Sequence, residues 1–506
     1  ASYNTAVGRS ALRLNTTGQP NDAFGYQALY SNTTGQGNVA VGYQSQYLGT
    51  VGQYNTSIGY QAGYSANASN AVVAIGQGAL QLTTTGTQNV GVGAAALYSN
   101  VIGLGNTAVG HAALLTATAS YNTAMGANAL RNNTTGSPND AFGYLALTAN
   151  TTGAYNVAVG YQSLTSNTIG QQNVAIGYVA LANNTTGVEN TAVGHIALNS
   201  NVTGSDNSAF GRGALAANTA SNNTACGAYA LRNNSTGSPN DAFGYYALYS
   251  NTTGNANVAV GWQSLYANTI GGYNVGVGYQ ALTSNTTGSY NVSIGYGSAT
   301  NITTGASNTC IGSYAGAQGS NNITTGSNNV CLGTSARISA STSNNEIVIG
   351  ANNVGVGANY VSIGIGGTNY IYNQFNTNAT WTKASDQRIK QNIQDLPIGL
   401  DFINELKVKS YNWKPSNEIP ENIIGYSEEN TQDTEITMYG MIAQDVKAAM
   451  DKLGYEHFAG WNVREADGLQ GLSNEMFVLP LINAVKELSA QNEELLDRII
   501  ALEAKL

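Results

Sequence analysis

Few side chains in this 506-residue chain can do covalent chemistry, and Ser385 with Lys390 are the pair whose spacing suggests it. Ser385-Asp386 precedes a helical pattern, where a serine caps the first turn and an acid meets the positive end of the helix dipole. The same spacing sets a hydroxyl five residues before a lysine. A lysine desolvated enough to lose its proton serves as general base for a serine nucleophile. Spacing alone leaves both readings open.

A second candidate chemistry is recognition. One position reads Tyr26, Tyr43, Tyr60, then Tyr144, Tyr161, Tyr178, His195, and later Tyr245, Trp262, Tyr279, Tyr296, with Arg9, His111 and Arg212 interspersed. Aromatic faces beside Asn, Gln and Thr can stack on sugar rings and satisfy hydroxyls, so Tyr144, Tyr161, Tyr178, Tyr245, Trp262, Tyr279 and Tyr296 are candidate glycan-binding residues. The alternative is that the column only supports stacked turns. His111 and His195 lie too far apart in the repeat to share a metal. Cys226, Cys310 and Cys331 form no CxxC pair and fall in small or apolar slots, expected to be buried thiols. No metal or cofactor is expected.

The element that positions this column is a repeat. Glycines recur at 8, 25, 42, 59, 76, 93, 110, 126, 143, 160, 177, 194, 211, 227, 244, 261, 278, 295 and 312. Sixteen of those eighteen steps are 17 residues and two are 16. The unit reads Asn-Thr-Ala-Val-Gly-x-x-Ala-Leu-x-x-Asn-Thr-Thr-Gly-x-x. Two short strand signals and two corners in so short a unit fit one turn of a β-solenoid. At ~4.8 Å per turn the eighteen steps span roughly 86 Å.

The slots have physical readings. The residue before each glycine is apolar (Val7, Phe24, Val41, Ile58, Met125, Cys226) and the one before that is small, so both are expected to face a narrow interior. Asn stands four before the glycine in every unit but one, which has Val72, and stacked turns would make an asparagine ladder. One Val or Ile, one Leu and two Ala per turn make a thin core. The leucine column (Leu12, Leu29, Leu80, Leu97, Leu114, Leu130, Leu147, Leu164, Leu181, Leu198) is therefore expected to be shared between chains of an obligate oligomer. Asp22, Asp140 and Asp241, in near-copies of one segment, read as capped corners or braces to a neighbouring chain.

The Ala-Val-Gly-x-x-Ala-Leu pattern, over about residues 1 to 335, resembles the left-handed β-roll repeats of trimeric autotransporter adhesin heads and viral fibres, which implies a trimer and a surface fibre. Residues 336 to 384 alternate apolar and small residues and read as a β-rich neck. Residues 385 to 506 resemble the auto-cleaving C-terminal intramolecular chaperone of phage tailspikes, tail fibres and endosialidases. The matching residues are Ser385-Asp386-x-Arg388-Ile389-Lys390-x-Asn392-Ile393, Ser410-Tyr411-Asn412-Trp413-Lys414, Tyr439-Gly440-Met441-Ile442-Ala443-Gln444-Asp445-Val446 and Leu481-Ile482-x-Ala484-Val485-Lys486-Glu487-Leu488. That resemblance implies attack of Ser385 on the carbonyl of Ala384, with Lys390 as base. Leu481, Val485, Leu488, Leu495, Ile499, Leu502 and Leu506 recur at mostly three and four, a coiled-coil signal over about 478 to 506.

Charge divides the chain at the same place. Residues 1 to 382 contain no lysine, six arginines and six acids, and the last 124 residues hold 12 cations and 21 anions, the whole net charge of −9. Without clustered Lys and Arg, nucleic acid is not an expected partner. No apolar run approaches the ~20 residues of a membrane span, so membrane insertion is not expected. The sequence opens inside a repeat, which implies an upstream part.

The expected architecture is mainly β: a trimeric β-solenoid shaft, a β-rich neck, and an α+β chaperone domain ending in a coiled-coil helix. The expected function is attachment of a virion fibre, made in the host cytoplasm, to a host glycan or receptor. Other virion or tail proteins are expected as partners through the upstream part. A polysaccharide-depolymerising tailspike and a purely structural spacer are the alternatives.

Overall fold

The computed structural model describes all residues except 1–2, 320, 367–368, 375–381, 384–386, 388–389, 422, 424–425, 431–433, 465–467 and 506. The chain divides into two compact units, Ala1–Ala384 and Ser385–Leu506.

The first unit is a long β-solenoid with 17-residue turns. Its strands run from β1 (Asn4–Val7) to β22 (Tyr360–Ile365), each pairing in parallel with the next. Register is strict: Val174, Ala175 and Ile176 face Thr191, Ala192 and Val193. Where the sequence steps 21 residues from Ile311 to Leu332, register is kept. Parallel stacking continues through residues 336–365. Only then does the chain turn antiparallel, from β22 to β23 (Asn369–Gln374) and β24 (Thr382–Lys383).

Period-two alternation decides the interior. The small residue two before each glycine is wholly buried in turn after turn (Ala158, Ala175, Ala192), whereas the apolar residue beside it points outward. The expectation that both slots face the interior is therefore corrected: Val7, Phe24, Val41, Ile58, Met125 and Cys226 are all exposed. The interior also receives the leucine column. Leu29, Leu80, Leu97 and Leu181 are fully buried within one chain, so the column is not shared between chains, and the argument for an oligomer drawn from it falls.

These leucines reach the interior with φ near +50°, as Leu181 at 51°. A left-handed conformation costs a non-glycine residue roughly 1–2 kcal/mol. The tight turn is held because neighbours above and below fix it: Leu181 N–H donates to Ala197 O at 2.9 Å, and Leu164 N–H to Ala180 O at 3.0 Å. The repeat glycine is required by close approach as well as by φ. A Cβ on Gly177 (φ +139°) would lie 2.5 Å from the carbonyl oxygen of Gly194 one turn on.

Asparagine amides fill the rest of the core. Asn173 Nδ2 donates to Asn156 Oδ1 (3.2 Å) and to Gly187 O (2.9 Å), while Asn173 Oδ1 accepts from Asn190 N–H (3.0 Å) and Asn190 Nδ2 (3.1 Å). The ladder expected from the sequence is present. A second ladder, at the Asn of Asn-Thr-Thr-Gly, runs Asn133, Asn150, Asn167, Asn184 and Asn201, with contacts of 2.8–3.1 Å. At the end of the first ladder the position passes to Glu346, also buried. Its N–H donates to Asn329 Oδ1 (3.0 Å), and its carboxylate accepts from Ser339 N–H (3.0 Å) and from the hydroxyls of Ser339 and Ser343.

The second unit is a small α+β fold. Helix α1 (Leu400–Glu405), hairpin β25 (Val408–Tyr411) with β26 (Met438–Met441), and helix α2 (Ala443–Leu453) are followed by hairpin β27 (Trp461–Val463) with β28 (Gln470–Leu472) and helix α3 (Val478–Glu503). Its core is Ile398, Phe402, Val446, Ala449, Met450, Phe458 and Phe477. The Phe402 ring meets that of Phe458 edge-on at 5.2 Å between centroids.

Candidate functional site

Two places carry the candidate chemistry. On the solenoid, the residue after each repeat glycine projects from the corner, and parallel register brings successive rings together. Tyr144, Tyr161, Tyr178 and His195 stack at 5.4, 5.2 and 5.2 Å between centroids. Trp262, Tyr279 and Tyr296 stack at 4.7 and 4.9 Å with their ring planes nearly parallel. Tyr26, Tyr43 and Tyr60 form a third stack at 5.2 Å. Tyr245 instead meets Tyr246 edge-on at 4.1 Å. Within each stack the ring faces cover one another, so a ligand meets ring edges along the run and ring faces only at its ends.

A parallel column five residues after the glycine adds Tyr30, Tyr47 and Tyr64, stacked at 5.1 and 5.3 Å, and Tyr249 with Tyr266 at 5.4 Å. The 17-residue spacing of these tyrosines was the signal for it in the sequence. The aromatic column breaks between Tyr60 and His111, where Gln77 and Ala94 stand. A cavity of about 220 Å³ opens there.

The outward face of the strands is the other surface feature. The slot before the glycine lines it with Phe24, Val41, Ile58, Met125, Phe142, Ile176, Phe210, Phe243, Val260, Ile294 and Ile311, all exposed. Asp22, Asp140 and Asp241 sit mid-strand on this same face and not at corners, a correction to the capped-corner reading. Cys226 belongs to this exposed column. Cys310 and Cys331 are buried as expected, in register on adjacent strands. The hydrogen bond between these two thiols, then burial, raises the Cys310 pKa well above the ordinary thiol value.

Ala384, the last residue of the first unit, and Ser385, the first of the second, lie outside the described residues. Lys390 is exposed, and its backbone N–H donates to Gln387 O at 3.1 Å. Downstream, Asp445 in the first turn of α2 pairs with Lys409 on β25 at 2.6 Å. That hydrogen bond, with the lysine charge, lowers the Asp445 pKa. Leu400 N–H donates to Glu487 Oε2 (2.9 Å) and Asn483 Nδ2 to Leu396 O (2.8 Å), tying α3 to the start of the unit. The helix expected near residues 478 to 506 is observed as Val478–Glu503. Its leucine, isoleucine and valine side chains, among them Leu481, Val485, Leu488, Leu495, Ile499 and Leu502, are exposed in the single chain. Among the described residues no helix is long and apolar enough to cross a membrane, and no cluster of His, Cys, Asp and Glu could hold a metal ion.

Residues 385–455 match the family model described as chaperone of endosialidase. The matched segment begins at the boundary between the two compact units. No curated protein and no solved structure matches the chain. A C-terminal chaperone segment joined to a solenoid of 17-residue turns fits a fibre or tailspike with a C-terminal chaperone domain.

Proposed function

We propose that three copies of this chain form a virion fibre that attaches to a host surface through glycan, and that the C-terminal unit drives trimer folding and then cuts itself away before Ser385. The observation that carries this reading is the chaperone match over residues 385–455, directly following a solenoid. Two unpartnered apolar surfaces support the trimer. The strand face from Phe24 to Ile311 and the exposed side of α3 each leave large side chains in water that a parallel copy would cover. Identical stacked turns are prone to slip by one repeat, and three parallel tails would set their register.

In the proposed cleavage Lys390 takes the Ser385 hydroxyl proton while Oγ attacks the Ala384 carbonyl carbon. The Ala384–Ser385 amide bond breaks as the ester forms, and the Ser385 nitrogen leaves with the proton. Water then hydrolyses the ester, leaving a carboxylate on Ala384 and releasing residues 385–506. The upstream end would join other virion proteins.

Expression of wild type beside Ser385→Ala, followed by denaturing gel and native mass analysis, tests the proposal. Expected are a cleaved wild type and an intact variant, both trimeric. An uncleaved wild type refutes self-cleavage, and a monomer refutes the trimer.

A further inference from the structure

We infer that the break in the aromatic column between Tyr60 and His111 is a binding notch for a neutral pyranose of a surface saccharide, a reading that rests on the proposed glycan attachment. Two adjacent columns lose their bulk together. After Tyr60 the outer column continues with Gln77 and Ala94 before His111, and the neighbouring column has Gly78 and Ala95. The result is the cavity of about 220 Å³. Drug-sized ligands occupy pockets of about 300–1,000 Å³, so this one suits a single sugar-sized unit of a longer chain.

Its walls have the chemistry a sugar needs. Tyr43 covers one face of Tyr60 at 5.2 Å, and no ring follows on the other side. An aromatic face carries partial negative charge and attracts the polarised C–H bonds of a pyranose. His111 closes the far end, roughly 14 Å away at ~4.8 Å per turn. Its neighbours in the column are Ala94 and Ala127, so neither of its faces is covered from within the column.

The amides supply direction. Gln44 donates to Gln27 (3.0 Å), Gln61 to Gln44 (3.0 Å) and Gln81 to Gln61 (2.9 Å). Each Nε2 points back to the preceding residue of this chain, which therefore ends on Gln81 Oε1. That oxygen lies over Gly78, 3.2 Å from where a Cβ would stand, and is placed to accept from a sugar hydroxyl. Aligned amides polarise one another, which strengthens the terminal acceptor. Apart from His111 the lining holds no charged or titratable side chain beyond tyrosine, so a neutral sugar is favoured over an acidic one.

The test uses the full chain and saturation-transfer NMR with the methyl pyranosides of glucose, galactose, mannose and N-acetylglucosamine. Transfer to at least one is expected from wild type. Ala94→Tyr restores the ring found at this column position elsewhere, so it keeps the fold, fills the notch and should abolish transfer. Tyr60→Ala should weaken binding about tenfold or more, the loss of one good contact of about 1.4 kcal/mol. Tyr290→Ala, in a different stack, should leave it unchanged.

Absence of transfer to all four sugars, or transfer that survives Ala94→Tyr, overturns the notch. Adsorption to host cells separates this from the broader reading. An Ala94→Tyr fibre that adsorbs like wild type refutes the notch and keeps attachment. A wild type that takes a sugar but adsorbs to no host cell keeps the notch and refutes attachment.

Discussion

Replacing Asn173 by alanine tests whether the asparagine ladder holds the solenoid turns together. The side chain is fully buried and occupies the middle of the ladder. Its removal leaves Asn190 N–H without its 3.0 Å acceptor, while Gly187 O loses one donor at 2.9 Å and keeps Asn184 Nδ2 at 3.0 Å. Asn156 Oδ1 keeps the Asn173 backbone N–H at 3.0 Å, and Asn190 Nδ2 keeps Gly204 O at 2.9 Å. One backbone N–H is thus stranded without water. The cost is about 1–3 kcal/mol.

In a solenoid each turn contacts only its neighbours, so the defect should stay local. Amide hydrogen exchange is the appropriate assay, because it reads opening residue by residue. A cost of about 2 kcal/mol raises opening at Asn190 roughly thirtyfold, while turns near Asn257 keep wild-type protection. Thr186→Ala, an exposed change in the same turn, should stay within about 0.5 kcal/mol. The chain holds a natural comparison in Val72, which offers no side-chain oxygen to the next turn, so Asn89 N–H should exchange faster than Asn106 N–H, which donates to Asn89 Oδ1 at 2.9 Å. A change of less than about threefold at Asn190 refutes the reasoning.

The two apolar columns should respond differently. Leu181→Ala opens a cavity inside one chain and should cost about 2–5 kcal/mol in thermal or urea unfolding. Phe210→Asp, on the exposed strand face, should spare turn protection and lower trimer yield in native mass spectra. Cys226 should react with maleimide in a folded single chain and be shielded in the trimer, whereas Cys310 and Cys331 should react only after unfolding. Because the folded Cys310 pKa is raised, its protonated thiol costs nothing below the unfolded value of about 8.5, and stability falls as pH rises above it. Urea midpoints that do not fall on moving from neutral to strongly alkaline pH in wild type relative to Cys310→Ala would contradict this. Phe402→Ala, at the centre of the second unit, should cost about 3–5 kcal/mol there and reduce trimer yield.

Repeat length, parallel register and the first asparagine ladder were legible in the sequence because each is a one-dimensional property. A residue type recurring every 17 positions must stack on itself if the turns stack. The second ladder is written in the same spacing, in the Asn of Asn-Thr-Thr-Gly. The break in the aromatic column was visible as Gln77 and Ala94, but nothing in a linear pattern shows that Gly78 and Ala95 lie beside them to make a cavity.

What periodicity could not assign was the side of the wall. In Asn-Thr-Ala-Val-Gly the two candidates for the interior, Ala and Val, are neighbours and therefore point to opposite faces. Hydrophobicity favours Val, yet in turn after turn alanine takes the inner place, and a branched residue fills it at Val348. Leucine enters instead from a corner, through a left-handed backbone that no propensity scale assigns to it. The sequence by itself determined the solenoid, its register and the junction with an acidic C-terminal unit. The tertiary structure decided which apolar column is core and which is surface, because that depends on the width of the turn and on backbone dihedrals set by the turns above and below.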